Sequence, residues 1–231
     1  MKRREMEKGS ESEIRSAIEE LSMAVAKANK PADATGDHVL DDDAAHVPTK
    51  PFLYVCSLLL QVLDKIGPTM AVLRQDMDQN IQRLEKVHES DPSMYSNLVE
   101  ILKKEAAEGN ARKSNSCSRG FVWLTRSLDF TVALLQLLVK DSERNMDEAV
   151  EEAYDVALRP WHGWISSAAY KVALKLVPDN KTLINILKAK DEEGVDGLKE
   201  EMRSLISLLV PLLEQNHSIL SSHGLDRLKA T

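Results

Sequence analysis

Aromatic side chains make up only 4% of this chain, so each of its three tryptophans carries unusual weight. Cysteine is scarcer still. Cys56 and Cys117 are too few for a disulfide scaffold, and they form neither a CxxC pair nor a zinc spacing with histidine. Positive charge is also short: the net charge of −7 and pI near 5.5 argue against a nucleic-acid binder, which needs a phosphate-neutralising basic surface. The opening MKRREMEKGSESE is charged throughout and has no apolar signal-peptide core, so the chain reads as cytosolic and soluble. There is no glycine-rich phosphate loop, HExxH helix or nucleophile elbow, which removes familiar routes to nucleotide, zinc-hydrolase and serine-hydrolase chemistry. The triplet Asp41–Asp43 lacks the alternating ligands and following glycine of a calcium loop. No metal or cofactor is expected. Alternating strand patterns and internal repeats are missing too, so the fold class is all-α.

What is present is organised around Ser116–Val139. From Phe121 onward almost every residue is large and apolar, as in a helix central to a core or a bilayer. Arg126 and Asp129 fall mid-span, and each charge at a bilayer centre costs about 2.5–3.5 kcal/mol on insertion scales, so a soluble central helix is expected. Its polar residues Arg119, Trp123 and Arg126 recur at helical spacing on one face, facing something.

Taken in order, Ile14, Ile18, Leu21 and Val25 mark a first amphipathic helix with Ser10 and Glu13 as a capping box, followed by an acidic, proline-containing connection. Thr49 is expected to cap a second helix that Gly67 stops. A third follows Pro68, with Met70, Leu73, Met77, Ile81, Leu84 and Val87 inward. Asp91-Pro92 opens a helix ending at Gly109, Ser116 caps the central helix, and Asn145 caps the next. Pro160 begins a helix that carries Trp161, His162 and Trp164 in its first turn and runs to Val177. A short helix over 181–190 precedes a last one over 198–221, which Pro211 should kink or split. Residues 1–48 read as an extension with one helix and an acidic loop, and 49–231 as one domain of about eight helices.

Beside the third helix's apolar stripe, Asp76, Asn80 and Arg83 stack at i, i+4 and i+7. A carboxylate, an amide and a guanidinium on one face can grip a polyhydroxylated group, or can form an ordinary solvated face with an Asp/Arg pair. Asp76 with His162 could make half of an acid–base pair, but no nucleophile accompanies them.

Several separated stretches, DMDQNIQRLEKV, DPSMY, SCSRGFVWLTRSLDF and LRPWHGWI with ALKLVP downstream, resemble the glycolipid transfer protein family in order and spacing from about Pro51 onward, with the plant members most alike. The resemblance implies a two-layer helical sandwich enclosing an apolar lipid pocket, with the headgroup held at the surface. It assigns Asp76 to the sphingolipid amide and headgroup, Asn80 and Arg83 to sugar contacts, Trp123 to stacking on the first sugar, and His162 to the ceramide carbonyl. Trp164 is implied as the membrane-docking tryptophan, with Leu73, Leu128, Phe130, Val172 and Leu176 around the pocket. The ceramide-1-phosphate branch has Lys at the position of Asn80 and Arg at that of Trp123, so this chain falls on the glycolipid side. That branch also has an Arg where Arg119 stands. Arg119 therefore either reads the same headgroup or snorkels to solvent. The implied function is non-enzymatic intermembrane transfer of glycosylceramides by a cytosolic monomer that touches membranes transiently. A lipid sensor or adaptor, a carrier of ceramide-1-phosphate or sulfatide, and a hydrolase using Asp76 and His162 are the other readings.

Overall fold

The computed structural model describes residues 12–28, 46–188 and 194–230. The capping residue Ser10 and the acidic triplet lie outside them. Among the described residues the chain forms nine α-helices: α1 Glu13–Ala28, α2 Thr49–Ile66, α3 Ala71–Ser90, α4 Leu98–Ala107, α5 Cys117–Lys140, α6 Met146–Ala157, α7 Trp164–Leu174, α8 Asn180–Leu187 and α9 Val195–Ser222. The one β pairing among these residues is an isolated bridge between Pro48 and Asn97.

The central helix is α5, which packs against α3, α4, α6 and α9. It is long and apolar enough to cross a membrane, but Phe121, Val122, Leu124, Leu128 and Leu138 are buried in the protein's own core. Its first turn is satisfied twice over. Ser116 Oγ accepts from the Arg119 amide at 3.0 Å, and the Glu105 carboxylate accepts from the Cys117 and Ser118 amides at 2.7 Å each. A ring of contacts closes through α1, α2, α3, α5 and α9. Helix α1 belongs to this ring: Ile14, Ala17 and Leu21 are buried, and Arg15 pairs with Glu201 of α9.

Several local expectations are corrected. Ser12 Oγ accepts from the Arg15 amide at the start of α1. Thr49 lies inside α2, because its hydroxyl donates to the Tyr95 carbonyl at 2.7 Å instead of capping. Asp91 caps a 3-10 turn over Met94–Ser96 by accepting from the Met94 amide, and α4 starts later at the Asn97 cap. Helix α9 runs through Pro211 unbroken. Pro211 is on its exposed side, where the carbonyl one turn earlier can turn to water.

The segment after Pro160 differs most. Arg159–Trp161 is a 3-10 turn, His162 is extended (φ −84°, ψ 136°), and α7 begins only at Trp164. Helix α7 ends at Leu174, short of Val177, and none of its residues is fully buried.

Candidate functional site

The site is built where α3 and α5 come closest. A Cβ on Gly120 would lie 3.4 Å from the Asn80 carbonyl and 3.5 Å from its Oδ1, in ordinary contact, so α3 packs directly on the backbone of α5 here. Asn80 is 3% exposed and bonded at both ends of its amide. Its Nδ2 donates to the Asp76 carbonyl at 2.8 Å and its Oδ1 accepts from Arg83 Nη2 at 2.6 Å. Arg83 Nη1 reaches the carbonyls of Ser114 and Ser116, each at 3.3 Å. Arg83 thus ties α3 to the turn before α5 and lines a cleft of about 440 Å³ with Gln79, Gln82, Lys86, Ser114 and Asn115.

Asp76 is solvent-reached, but protein crowds its flanks. This partial dehydration raises its pKa, while the Arg83 and His162 charges act to lower it. His162 therefore lies within electrostatic reach of Asp76. Its ring lies 5.6 Å from that of Trp123, and its Nδ1 is 3.2 Å from the Tyr154 hydroxyl. Burial, with the Arg126 charge, holds the His162 pKa below the ordinary imidazole value, against Asp76. At neutral pH it is a neutral imidazole. The break in the helix at His162 and Gly163 lets this ring turn inward while Trp164, two residues on, turns out.

Trp123 and His162 thus meet at one mouth, and Asp76 lies within electrostatic reach of His162 and Arg83, on the same helix α3 as Asn80 and Arg83. Arg119 does not join them. It is 7% exposed and its Nη2 donates to the Lys229 carbonyl at 2.6 Å. It neither faces the mouth nor snorkels, because the segment after α9 folds back over it. Asp129 pairs with His217 of α9 at 3.0 Å.

Two contributors are hard to anticipate. Tyr154 orients His162 from α6 and stacks on Tyr170 of α7, with centroids 3.4 Å apart. Its spacing from Ala149, Val150 and Ala153 places it on the inward face of α6, which is the one available clue. The other is Trp161, which shares with Trp123 the Arg126 that helical spacing places on the Trp123 face. The Arg126 guanidinium carbon lies 4.8 Å from the Trp123 ring centre and 4.1 Å from that of Trp161.

Of the residues expected around a pocket, Leu128 is in the core and Phe130 packs against it, but Leu73, Val172 and Leu176 are exposed. Val172 and Leu176 instead extend an outward apolar face of α7 and the turn after it. Trp164, 82% exposed, and Ile165 begin that face, and exposed Lys171 and Lys175 flank it.

Comparison with known proteins places this geometry in a family. A family model described as "Glycolipid transfer protein (GLTP)" matches residues 47–189. The chain is 58% identical over 222 residues to glycolipid transfer protein 3 of Arabidopsis thaliana, covering 94% of this chain and 92% of that one. It is 54% identical to Arabidopsis glycolipid transfer protein 2, over 99% of this chain and 98% of the relative. Among solved structures, one on how FAPP2 selects simple glycosphingolipids using the GLTP-fold aligns with a TM-score of 0.75 at 24% identity, covering 84% of this chain and 93% of that one. A mutant of Arabidopsis ACD11 complexed with C12 ceramide-1-phosphate aligns at 0.76 and 20% identity, over 94% and 98% of the two chains. These likenesses fix the fold. One of those neighbours is tied to sugar-bearing and the other to phosphate-bearing sphingolipids, so the fold alone does not select the headgroup.

Proposed function

This chain belongs to the glycolipid transfer protein family, and on that premise we propose that it carries neutral glycosylceramides, such as glucosylceramide, between membranes through the cytosol without chemical change. The observation that carries the reading is the meeting of Trp123 and His162, 5.6 Å apart, with Asp76 close enough to both Arg83 and His162 for their charges to act on it.

Each group has a task in this reading. The Trp123 face gives the sugar ring's C–H groups a flat apolar platform, while Asp76 takes hydroxyl and amide donors. The Tyr154 hydroxyl, 3.2 Å from His162 Nδ1, holds the ring in place, which leaves the other ring nitrogen, Nε2, for the ceramide carbonyl. Arg83, already holding Asn80 Oδ1, presents its remaining donor capacity to the polar cleft. Arg119 is spent on the Lys229 carbonyl, which removes one cation from the mouth and favours a neutral headgroup over phosphate or sulfate.

The chains need an enclosed apolar space, since each buried methylene gains about 0.8 kcal/mol on leaving water. Apolar side chains from several helices form one buried cluster, and in this reading the chains enter by parting them. Helix α7 is the element suited to move: it buries no residue fully and rests on α6. Its outward face of Trp164, Ile165 and Val172, flanked by Lys171 and Lys175, suits a shallow, reversible seat at a bilayer surface. Hydrolysis fits the site poorly. Glycosidases pair two carboxylates across the bond, whereas the charges that act on Asp76 are those of Arg83 and His162.

The test is transfer of fluorescent glucosylceramide between vesicles by wild type and Trp123→Ala. Rapid ATP-independent transfer that the substitution abolishes supports the reading. Transfer by neither protein, or equal transfer by both, contradicts it.

A further inference from the structure

The segment that follows α9 is gripped by three arginines. Arg112 Nη2 donates to the Gly224 carbonyl at 2.7 Å, Arg126 Nη2 to that of Asp226 at 3.0 Å, and Arg119 Nη2 to that of Lys229 at 2.6 Å. Leu225 is buried and Leu228 packs against the core. The Ala230 amide then donates to the Trp161 carbonyl at 2.9 Å, one residue before His162. This strap runs from the end of α9 to the turn that carries the ceramide-facing histidine.

Arg126 differs from the other two arginines. It is 3% exposed, and its Nη1 has no hydrogen-bond partner. Burial pulls its pKa down to about 10, with Arg119 adding to that shift and Asp129 and Asp226 opposing it. It is still charged at neutral pH. An apolar side chain of the same length would fill this space without dehydrating a charge, so packing alone does not explain an arginine here. A planar cation supplies two things that packing cannot. It lies against both indole faces, and it bonds the strap's carbonyl.

We propose that Arg126 is a positioning residue for the headgroup platform. Wedged between Trp161 and Trp123 and tied to the Asp226 carbonyl, it fixes the plane of the Trp123 indole and makes the strap Leu225–Ala230 part of the headgroup site. This rests on the reading of Trp123 as the sugar-stacking platform. On that reading Arg126 touches no lipid and acts through the indole, so its loss affects lipids that carry a sugar and spares those that do not.

The test compares Arg126→Met, Arg126→Lys and Trp123→Ala with wild type in vesicle transfer of fluorescent glucosylceramide and of fluorescent ceramide, which has no sugar. Tryptophan emission and thermal melting are recorded alongside. Arg126→Met is expected to melt cooperatively, to change the indole emission, and to lose about tenfold in glucosylceramide transfer with under about twofold change for ceramide. Arg126→Lys should not restore the ratio, because an ammonium cannot lie flat between two rings. If Arg126→Met and Arg126→Lys keep the wild-type ratio of the two lipids, or lower both in equal proportion, Arg126 is a packing residue and the inference fails alone. If Trp123→Ala itself keeps glucosylceramide transfer, the platform reading fails and takes the inference with it.

Discussion

Arg119 Nη2 donates to the backbone carbonyl of Lys229 across 2.6 Å, from a side chain that is 7% exposed. The two residues are 110 positions apart. A guanidinium on the tryptophan-bearing face of α5 therefore serves as a clamp for the strap.

It follows that Arg119→Asn costs stability and leaves headgroup preference alone. Losing one charged donor to a partly buried carbonyl, and with it the packing of a buried side chain, should lower stability by about 1–3 kcal/mol. Chemical denaturation reads that loss. The ranking of glucosylceramide, sulfatide and ceramide-1-phosphate as competitors should match wild type, and a reversed ranking would mean that Arg119 reads the headgroup.

Asp76 is held in its ionised form at a cost. Its pKa in the folded protein is raised, mainly by dehydration. A raised carboxyl stabilises the fold below its unfolded pKa and loses that contribution as pH rises through the folded value, so at neutral pH its charge opposes folding. Asp76→Val should accordingly keep its helicity and stay within about 0.5 kcal/mol of wild type at pH 7. Its transfer should fall at least about tenfold, as expected when a charged acceptor is removed. Melting curves and transfer rates on the same sample check both halves, and full transfer by the variant would exclude Asp76 from the site.

His217 gives a second pH signature, remote from the mouth. Its bond to Asp129 holds its pKa above the ordinary 6.5, against burial and the Arg126 charge. The pair therefore contributes fully below about pH 6.5 and fades as pH rises through the raised value. Because both partners are partly exposed, the contribution is under about 1 kcal/mol. The gap in melting temperature between wild type and Asp129→Asn should be largest below about pH 6.5 and narrow as pH rises through the raised value. A gap that widens with pH would reverse the assignment.

Trp164 is 82% exposed, so Trp164→Ala should shift stability by no more than about 0.5 kcal/mol. Co-sedimentation should show weaker vesicle partitioning, while equilibrium capture of a short-chain glucosylceramide stays near wild type. Equal partitioning by both proteins would remove Trp164 from the docking face.

Helix order and the central place of α5 are legible in the sequence because burial follows helical spacing. The stripe Met77, Ile81 and Leu84 is buried as its period predicts, and Ser116 and Asn145 are the caps they look like. Legibility stops where a side chain finds a distant partner. Thr49 looks like a cap until the Tyr95 carbonyl, 46 residues away, takes its hydroxyl. The same holds for Arg119 and Lys229. Tyr154 and Trp161 gain their meaning from the ring contacts around His162 and Arg126, and no spacing rule encodes those. The helix placed across Trp161, His162 and Trp164 fails because His162 is extended and Gly163 restarts the chain at α7. That break is what separates the inward histidine from the outward tryptophan.

The most direct measurement is competition for fluorescent glucosylceramide carried between vesicles by the wild-type chain. Unlabelled galactosylceramide, sulfatide and ceramide-1-phosphate serve as competitors. The neutral glycolipid should compete best and the phosphate-bearing lipid least. If the anionic lipids displace the cargo more strongly than galactosylceramide does, the mouth formed by Trp123 and His162 is not a neutral sugar site, and the proposed cargo is wrong.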